Sequence, residues 1–362
     1  MSRPVIGIST STTLTAAHSG CDILATGGQI TLTLPAPISS CDIRIINGDS
    51  SAGKILAGFP TDVNPKLYPN QSISVNSDGT VWFAEEKPGR WKIPAGTIIY
   101  VGTLAGCNDA NDGLSPATAL LTNSMASQVY QKDFDCSYST PIVAWMAGSV
   151  FTNDPFNASG QPLASNLVQL SLYGTGHVSS TCTGPCIVIG DNGELNMAWK
   201  ALTSTCTATL MGNSVNAPSN ATIYQHNNGL FDMSGGDVIT IIGAGTNCSA
   251  VFFDGPTPGA SISDGFNVSN TFGYLWHMDE GGGRYTFSGT IRQVGATIIK
   301  GLFAVLGGNE LLLGGMSFVP DGSYLSLGAS LVDDSLLVSN GIPITGGVTT
   351  VGSGRMATSK TT

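Results

Sequence analysis

Charge is what this sequence has least of. Only 10% of its 362 residues are Asp, Glu, Lys or Arg, where ordinary soluble domains carry roughly 25%. The 14 Lys and Arg residues are scattered and the formal net charge is −10, which excludes a protein that works by neutralising nucleic-acid phosphates. No run of about 18 uncharged apolar residues exists, so membrane insertion is not expected. The N-terminal Met1-Ser2-Arg3-Pro4-Val5-Ile6 has neither the basic nor the apolar region of a secretory leader, and predicts synthesis in the cytoplasm or export by another route. No Gly-x-Gly-x-x-Gly opens a helix after a strand, and no Gly-x-x-x-x-Gly-Lys-Ser/Thr run occurs, so no nucleotide cofactor is expected.

What fills the space is glycine, 47 residues of it, beside a 41% hydrophobic content that can build a sizeable core. An uncharged polar surface with many turns suits stacked short strands and suits poorly the charged outer faces of helices. An all-β protein follows.

Eight cysteines stand at 21, 41, 107, 136, 182, 186, 206 and 248. With no secretory leader they read as small buried hydrophobes and not as a disulfide framework. Cys182 and Cys186 form the one local pair that suggests half a zinc site, but no second pair completes the four ligands that zinc takes, so no metal is expected. Asp109, Asn111 and Asp112 lack the closing glutamate of a calcium loop and read as turn residues.

Along residues 1–98 short strands alternate apolar and polar side chains, as in Gln29-Ile30-Thr31-Leu32-Thr33-Leu34 and Asp42-Ile43-Arg44-Ile45-Ile46. Asp78-Gly79 marks a hairpin. The pattern predicts that residues 72–93 form it and close a small β module, with Trp82 and Trp91 as anchors. Ser115-Pro116 is an N-cap followed by a proline suited to a first helical turn. With Leu121, Met125 and Val129 on one stripe, it predicts a helix over 116–131. From about 140 onward strands of four to six residues recur between Gly, Asn and Asp. Segments around Asn213, Gly235, Gly259 and Gly282 lie 22 to 24 residues apart, the period of a solenoid whose turns bury residues only against neighbouring turns. The expected organisation is an N-terminal β module (1–98), a strand, turn and capping helix (99–140), a parallel β-helix (141–340) and a polar tail (341–362).

Ile99-Tyr100-Val101 followed by Asn111-Asp112-Gly113-Leu114-Ser115-Pro116-Ala117-Thr118-Ala119, with Leu172-Tyr173-Gly174-Thr175-Gly176 further on, resembles the opening of the right-handed parallel β-helix in bacteriophage tailspikes and tail fibres. The resemblance covers about 75 residues. It implies a homotrimeric virion spike, made in the host cytoplasm, that docks on other virion proteins through its N-terminal module and binds host cell-surface glycan. A bacterial surface adhesin is the alternative location.

A polysaccharide hydrolase of this fold needs two carboxylates roughly 5 to 9.5 Å apart. Asp232 and Asp254 are 22 residues apart, which predicts neighbouring turns about 4.8 Å apart; a hydrogen-bonded turn role is the more common use of Asp. Functional groups are densest in Tyr274-Leu275-Trp276-His277-Met278-Asp279-Glu280-Gly281-Gly282-Gly283-Arg284-Tyr285. Tyr274, Trp276, Arg284 and Tyr285 are the expected glycan-binding residues, and His277, Asp279 and Glu280 join Asp232 and Asp254 as weak catalytic candidates. The competing use of Trp276 is plain packing, with Arg284 paired to a neighbouring acid. The expectation is a non-enzymatic spike.

Overall fold

The computed structural model describes residues 2–60, 63–85, 88–160 and 168–189 in full, and the backbone of residue 86 and of the strands beyond 189. The chain is mostly strand with little helix. The first strands are β1 Val5–Ile8, β2 Thr12–Thr13, β3 Cys21–Ala25, β4 Ile30–Thr33, β5 Cys41–Asn47 and β6 Lys54–Ala57. They alternate between two sheets: β1, β3 and β5 pair parallel in one, and β2, β4 and β6 pair parallel in the other. Strict alternation puts Ile43 and Ile45 of β5, Ile23 of β3 and Leu32 of β4 in one core, each fully buried. β7 (Lys66–Leu67) closes the second sheet antiparallel. β8 (Ser72–Ser77) and β9 (Trp82–Glu86) close the first. A buried lysine is tolerated because Lys54 pairs with Asp49 and with the Gly28 carbonyl.

The hairpin forms where Asp78-Gly79 predicts it. Asp78 Oδ1 accepts the amides of Thr80 and Val81 at 2.7 and 3.0 Å, and Gly79 takes φ +96°. It ends sooner than expected. Trp82 is its anchor, buried and donating from its indole to the Pro35 carbonyl at 2.9 Å. Trp91 belongs instead to β10 (Trp91–Lys92), which pairs parallel with β12 (Phe134–Asp135).

The helix also differs from expectation. Pro116–Thr118 is one 3₁₀ turn, capped by Ser115. The α-helix, α1, is Asn123–Gln128, capped by Thr122, whose hydroxyl accepts from the Met125 amide at 3.0 Å. A π turn follows, over Val129–Asp133. Leu121, placed on the apolar stripe by its spacing, lies outside α1 and is 39% exposed. α1 buries Asn123, Ala126 and Ser127 and packs against β11 (Ile98–Val101) and β15 (Phe156–Asn157), and the following turn buries Val129 and Tyr130.

From β11 onward the described strands, β12 apart, pair parallel in one hydrogen-bonded assembly. β13 (Ile142–Met146) pairs with β11 and with β16 (Val168–Tyr173). β14 (Val150–Thr152) pairs with β17 (Gly176–Cys182), and β15 with β18 (Ile187–Ile189). The rule of pairing with the strand three places on continues through β19 (Glu194–Asn196), β20 (Cys206–Gly212), β21 (Ala221–His226), β22 (Leu230–Met233) and β23 (Ile239–Ile242). Later partners are β24 (Gly245–Asp254), β25 (Ala260–Ile262), β26 (Asn267–Met278), β27 (Arg284–Val305) and β28 (Glu310–Val319).

The spacing between register partners varies. Ile142 to Gln169 is 27 residues and Ile187 to Ile223 is 36, because loops between short strands lengthen without disturbing the ladder. The glycine-bounded positions Asn213, Gly235, Gly259 and Gly282, from which the period was read, lie outside the described residues. Among the described residues no helix is long and apolar enough to cross a membrane.

Candidate functional site

The groups with the most perturbed environments collect where the N-terminal sheets meet the parallel stack. Three aromatic rings, Tyr68, Trp91 and Phe134, lie pairwise 5.3 Å apart between centroids. Tyr68 stacks on Trp91, and Phe134 meets both edge-on. All three are buried. Tyr68 follows β7, Trp91 opens β10 and Phe134 opens β12, so the cluster joins three segments distant in sequence. Arg90 secures it by donating to the backbone carbonyls of Gln131 and Lys132. Gln71 donates to the Gly89 carbonyl at 2.7 Å.

The polar side of this cluster is a carboxyl in an unfavourable place. Tyr68 donates its hydroxyl to Asp133 Oδ2 at 3.0 Å. Burial pushes the Asp133 carboxyl above its ordinary value, against the hydrogen bonds from Asn64 and Tyr68 and the nearby Lys66 ammonium. Burial, with Asp133 beside it, pushes the Tyr68 phenol well up. Lys66 is 4% exposed and its Nζ has no hydrogen-bond partner; burial pulls its ammonium down, opposed by Asp133, Asp109 and Asp112. A cleft of about 210 Å³ lies over Asn64, Tyr68, Arg90, Lys132 and Asp133. A second of about 270 Å³ lies over Asn70, Trp91, Lys92 and Pro94, and Gln71 and Arg90 line both.

The Tyr68 hydroxyl and the Asp133 carboxylate are already spent on one another, and Arg90 on backbone carbonyls, so the arrangement acts as a joint. Its linkage to pH has a definite sign. A carboxyl raised in the folded state contributes stability that is complete below its ordinary value of 3.8 and is lost as pH rises through its folded value. Measured by urea unfolding at stepped pH, the wild-type chain therefore loses stability relative to Asp133→Asn as pH rises from about 4 towards neutrality. A difference that stays flat, or grows with pH, overturns this account of Asp133.

The loop between β11 and α1 forms a second junction. Asp112, 1% exposed, accepts the Gly53 amide at 2.6 Å, the Leu114 amide at 3.0 Å and the Thr118 hydroxyl at 2.5 Å. Asp109 accepts the amides of Leu121 and Thr122, both at 2.9 Å. Asn111 and the Asp112 amide hold the two ends of the Gln29 side chain. The Leu114 amide on Asp112 is the local turn bond the sequence suggests, and the bonds to Gly53 and Gln29 are long-range clasps that it did not show.

The residues expected to carry function lie in the later strands and are placed by register. Asp232 pairs with Asn196 and Ser261, and Asp254 with His226. The two acids are on strands that pair with different neighbours and not with each other. Tyr274 pairs with Ser249 and Gly301, Trp276 with Val251 and Phe303, and His277 with Phe252 and Ala304. Tyr285 pairs with Ala260 and Leu311, and Arg284 with Glu310, an acid that reading residues 274–285 by themselves did not reach. Asp279 and Glu280 lie outside the described residues.

Register also separates Trp276 from His277. Trp276 continues a column that starts with Phe156 and Ile187, both fully buried, and runs through Ile223 and Val251. His277 continues the alternate column, of Asn157, Val188, Tyr224 and Phe252, whose first two members are partly exposed. Trp276 thus stands in register line with two buried apolar positions, and His277 with two partly exposed ones.

Comparison with protein-family models, with curated proteins and with solved structures finds no match to this chain.

Proposed function

We propose that this chain is the subunit of a bacteriophage tail spike or fibre: a trimeric, non-enzymatic virion protein built on a right-handed parallel β-helix, which helps attach the particle to host-surface glycan. The supporting observation is the parallel ladder, in which apolar residues recur at one register position from Phe156 through Ile187, Ile223, Val251, Trp276 and Phe303. A stack of that kind is a stiff rod whose ends must be covered. The N-terminal sheets, clasped at Trp91 and Asp112, suit attachment to other virion proteins at one end. The low charge suits association of long flat faces, where like charges would repel.

A polysaccharide hydrolase or lyase of the same fold is the second reading, and the register pairing of Asp254 with His226 is what favours it. Sedimentation of the purified chain, followed by a reducing-sugar assay on host envelope polysaccharide, separates the readings. The spike predicts three times the 37.1 kDa of one chain and no sugar release. A monomer removes the trimeric spike. Sugar release that disappears in Asp254→Asn establishes the enzyme instead.

A further inference from the structure

The turn Cys182-Thr183-Gly184-Pro185-Cys186 joins the end of β17 to the start of β18 and carries two buried cysteines that are not joined in a disulfide. Both sulfurs converge on Ser180. Cys182 Sγ lies 3.8 Å from its hydroxyl, and Cys186 Sγ lies 3.6 Å from its carbonyl. The Cys186 side chain, ahead of the Ser180 hydroxyl and the Asp154 backbone, holds the Cys182 thiol below its ordinary value, against burial and the Asp154 charge.

Those donors are fixed by structure on the neighbouring rung. The Asp154 carboxylate is held by the amides of Asn123 and Ser124 at the start of α1, at 2.6 and 2.9 Å. Asn153, in the left-handed region at φ +52°, accepts the Thr183 amide at 2.8 Å. The effect on the thiol is plain beside a control in the same fold. Burial without comparable donors pushes Cys136 up to about 12, whereas the donors around Cys182 bring it below the ordinary thiol value, the Cys186 hydrogen bond contributing most. A thiol whose sulfur is ringed by donors is the one that ionises and reacts.

We propose that Cys182 and Cys186 are an oxidisable dithiol, in which hydrogen peroxide reacts first at Cys182 and Cys186 then closes an intrachain disulfide. The Cys182 thiolate attacks one peroxide oxygen. The O–O bond breaks, the departing hydroxide takes up the thiol proton as water, and Cys182 becomes a sulfenic acid. The Cys186 sulfur attacks that of Cys182, forms the S–S bond and expels the hydroxyl with its own proton as a second water. Two thiols and one peroxide become a disulfide and two waters. Peroxide is small enough to enter beside Thr183, which is exposed, and the bridge ties the corner between β17 and β18 of a chain that meets oxidants once outside a reducing cytoplasm.

The test uses the full chain in its reduced form. It is treated with hydrogen peroxide, unfolded, alkylated and digested for peptide masses. The expected product is a peptide spanning 182 and 186 that is lighter by two hydrogens and unalkylated, while Cys136 is alkylated in full. In Cys186→Ser, dimedone labels Cys182 about tenfold faster than Cys136. Full alkylation of both Cys182 and Cys186 after peroxide overturns the proposal, as does a disulfide formed only by other cysteines. Dimedone labelling of Cys136 ahead of Cys182 overturns the order of attack. Should the variant fail to fold, the wild-type peptide map decides alone.

Discussion

Trp91→Ala is expected to lower the unfolding free energy by about 3 to 5 kcal/mol, the range for deleting a large buried aromatic side chain. The indole has Tyr68 parallel to one face and the Phe134 ring edge-on, each at 5.3 Å. Its backbone, with that of Lys92, makes the short ladder to Phe134 and Asp135 that ties the N-terminal sheets to the parallel stack. Alanine leaves that ladder without cover, and the cleft beside it admits water, which holds the loss towards the lower end of the range. Urea unfolding measures the size of the effect, and limited proteolysis in the native state locates it, since cleavage between residues 86 and 98 accelerates as the joint opens. Trp91→Phe, which keeps an aromatic face against Tyr68, recovers most of the loss. Trp82→Ala is the comparison: it strips the hairpin anchor held at Pro35 without touching the joint, so it destabilises without speeding cleavage at 86–98. A loss under about 1 kcal/mol for Trp91→Ala means that the three-ring cluster is not what holds the two parts together.

How much of this was legible in the sequence depends on how local each determinant is. The hairpin was, because Asp78 and Gly79 satisfy their own turn through the amides of Thr80 and Val81. The apolar alternation of Ile43 and Ile45 was, because strand period depends on the strand alone. Direction was not. The same alternation serves parallel and antiparallel pairing, and nothing within Cys21–Ala25 announces that it pairs parallel with both β1 and β5. The helix start was read seven residues, about two turns, too early for a tertiary reason. Ser115-Pro116 does begin a helical turn, but the Leu120 amide donates to the Tyr100 carbonyl and the Gly102 amide to that of Leu120, each at 2.9 Å. That bridge draws Ala119 and Leu120 out straight, and Asp109 then holds the Leu121 and Thr122 amides. Helix propensity yields to strand pairing here. The aromatic joint was illegible for the plainest reason: Tyr68, Trp91 and Phe134 are separated by more than twenty residues at each step, and no local pattern links them. Trp276 lies between these cases. Its sequence neighbourhood offered both a glycan-binding role and plain packing, and the register adds that Trp276 stands in line with Phe156 and Ile187.

Asp112→Ala is expected to cost about 1 to 3 kcal/mol, the cost of one buried donor left unpaired. The carboxylate accepts three donors, of which the Thr118 hydroxyl and the Leu114 amide are partly exposed and can turn to water. The Gly53 amide is buried with its acceptor and cannot. It also comes from the N-terminal sheets, so the bond joins residues 59 apart in sequence and its loss is felt at the interface and not only within the loop. Asp112→Asn keeps one acceptor oxygen and turns an NH₂ towards a donor, so about half of the loss returns. Gly53→Ala attacks the same contact from the other side, because a Cβ there lies 2.8 Å from Asp112 Cβ. Asp112→Ala keeps the Cβ that this alanine meets, so part of the steric cost remains in the double mutant, but the bond to the Gly53 amide is lost only once, and the double mutant is less destabilised than the sum of the singles. Thermal unfolding with calcium or with a chelator distinguishes this account from a cation loop: both Asp112 oxygens are occupied by protein donors, so neither addition moves the wild-type midpoint. A midpoint that rises with calcium, or singles that simply add, would show that Asp112 serves something other than the clasp to Gly53.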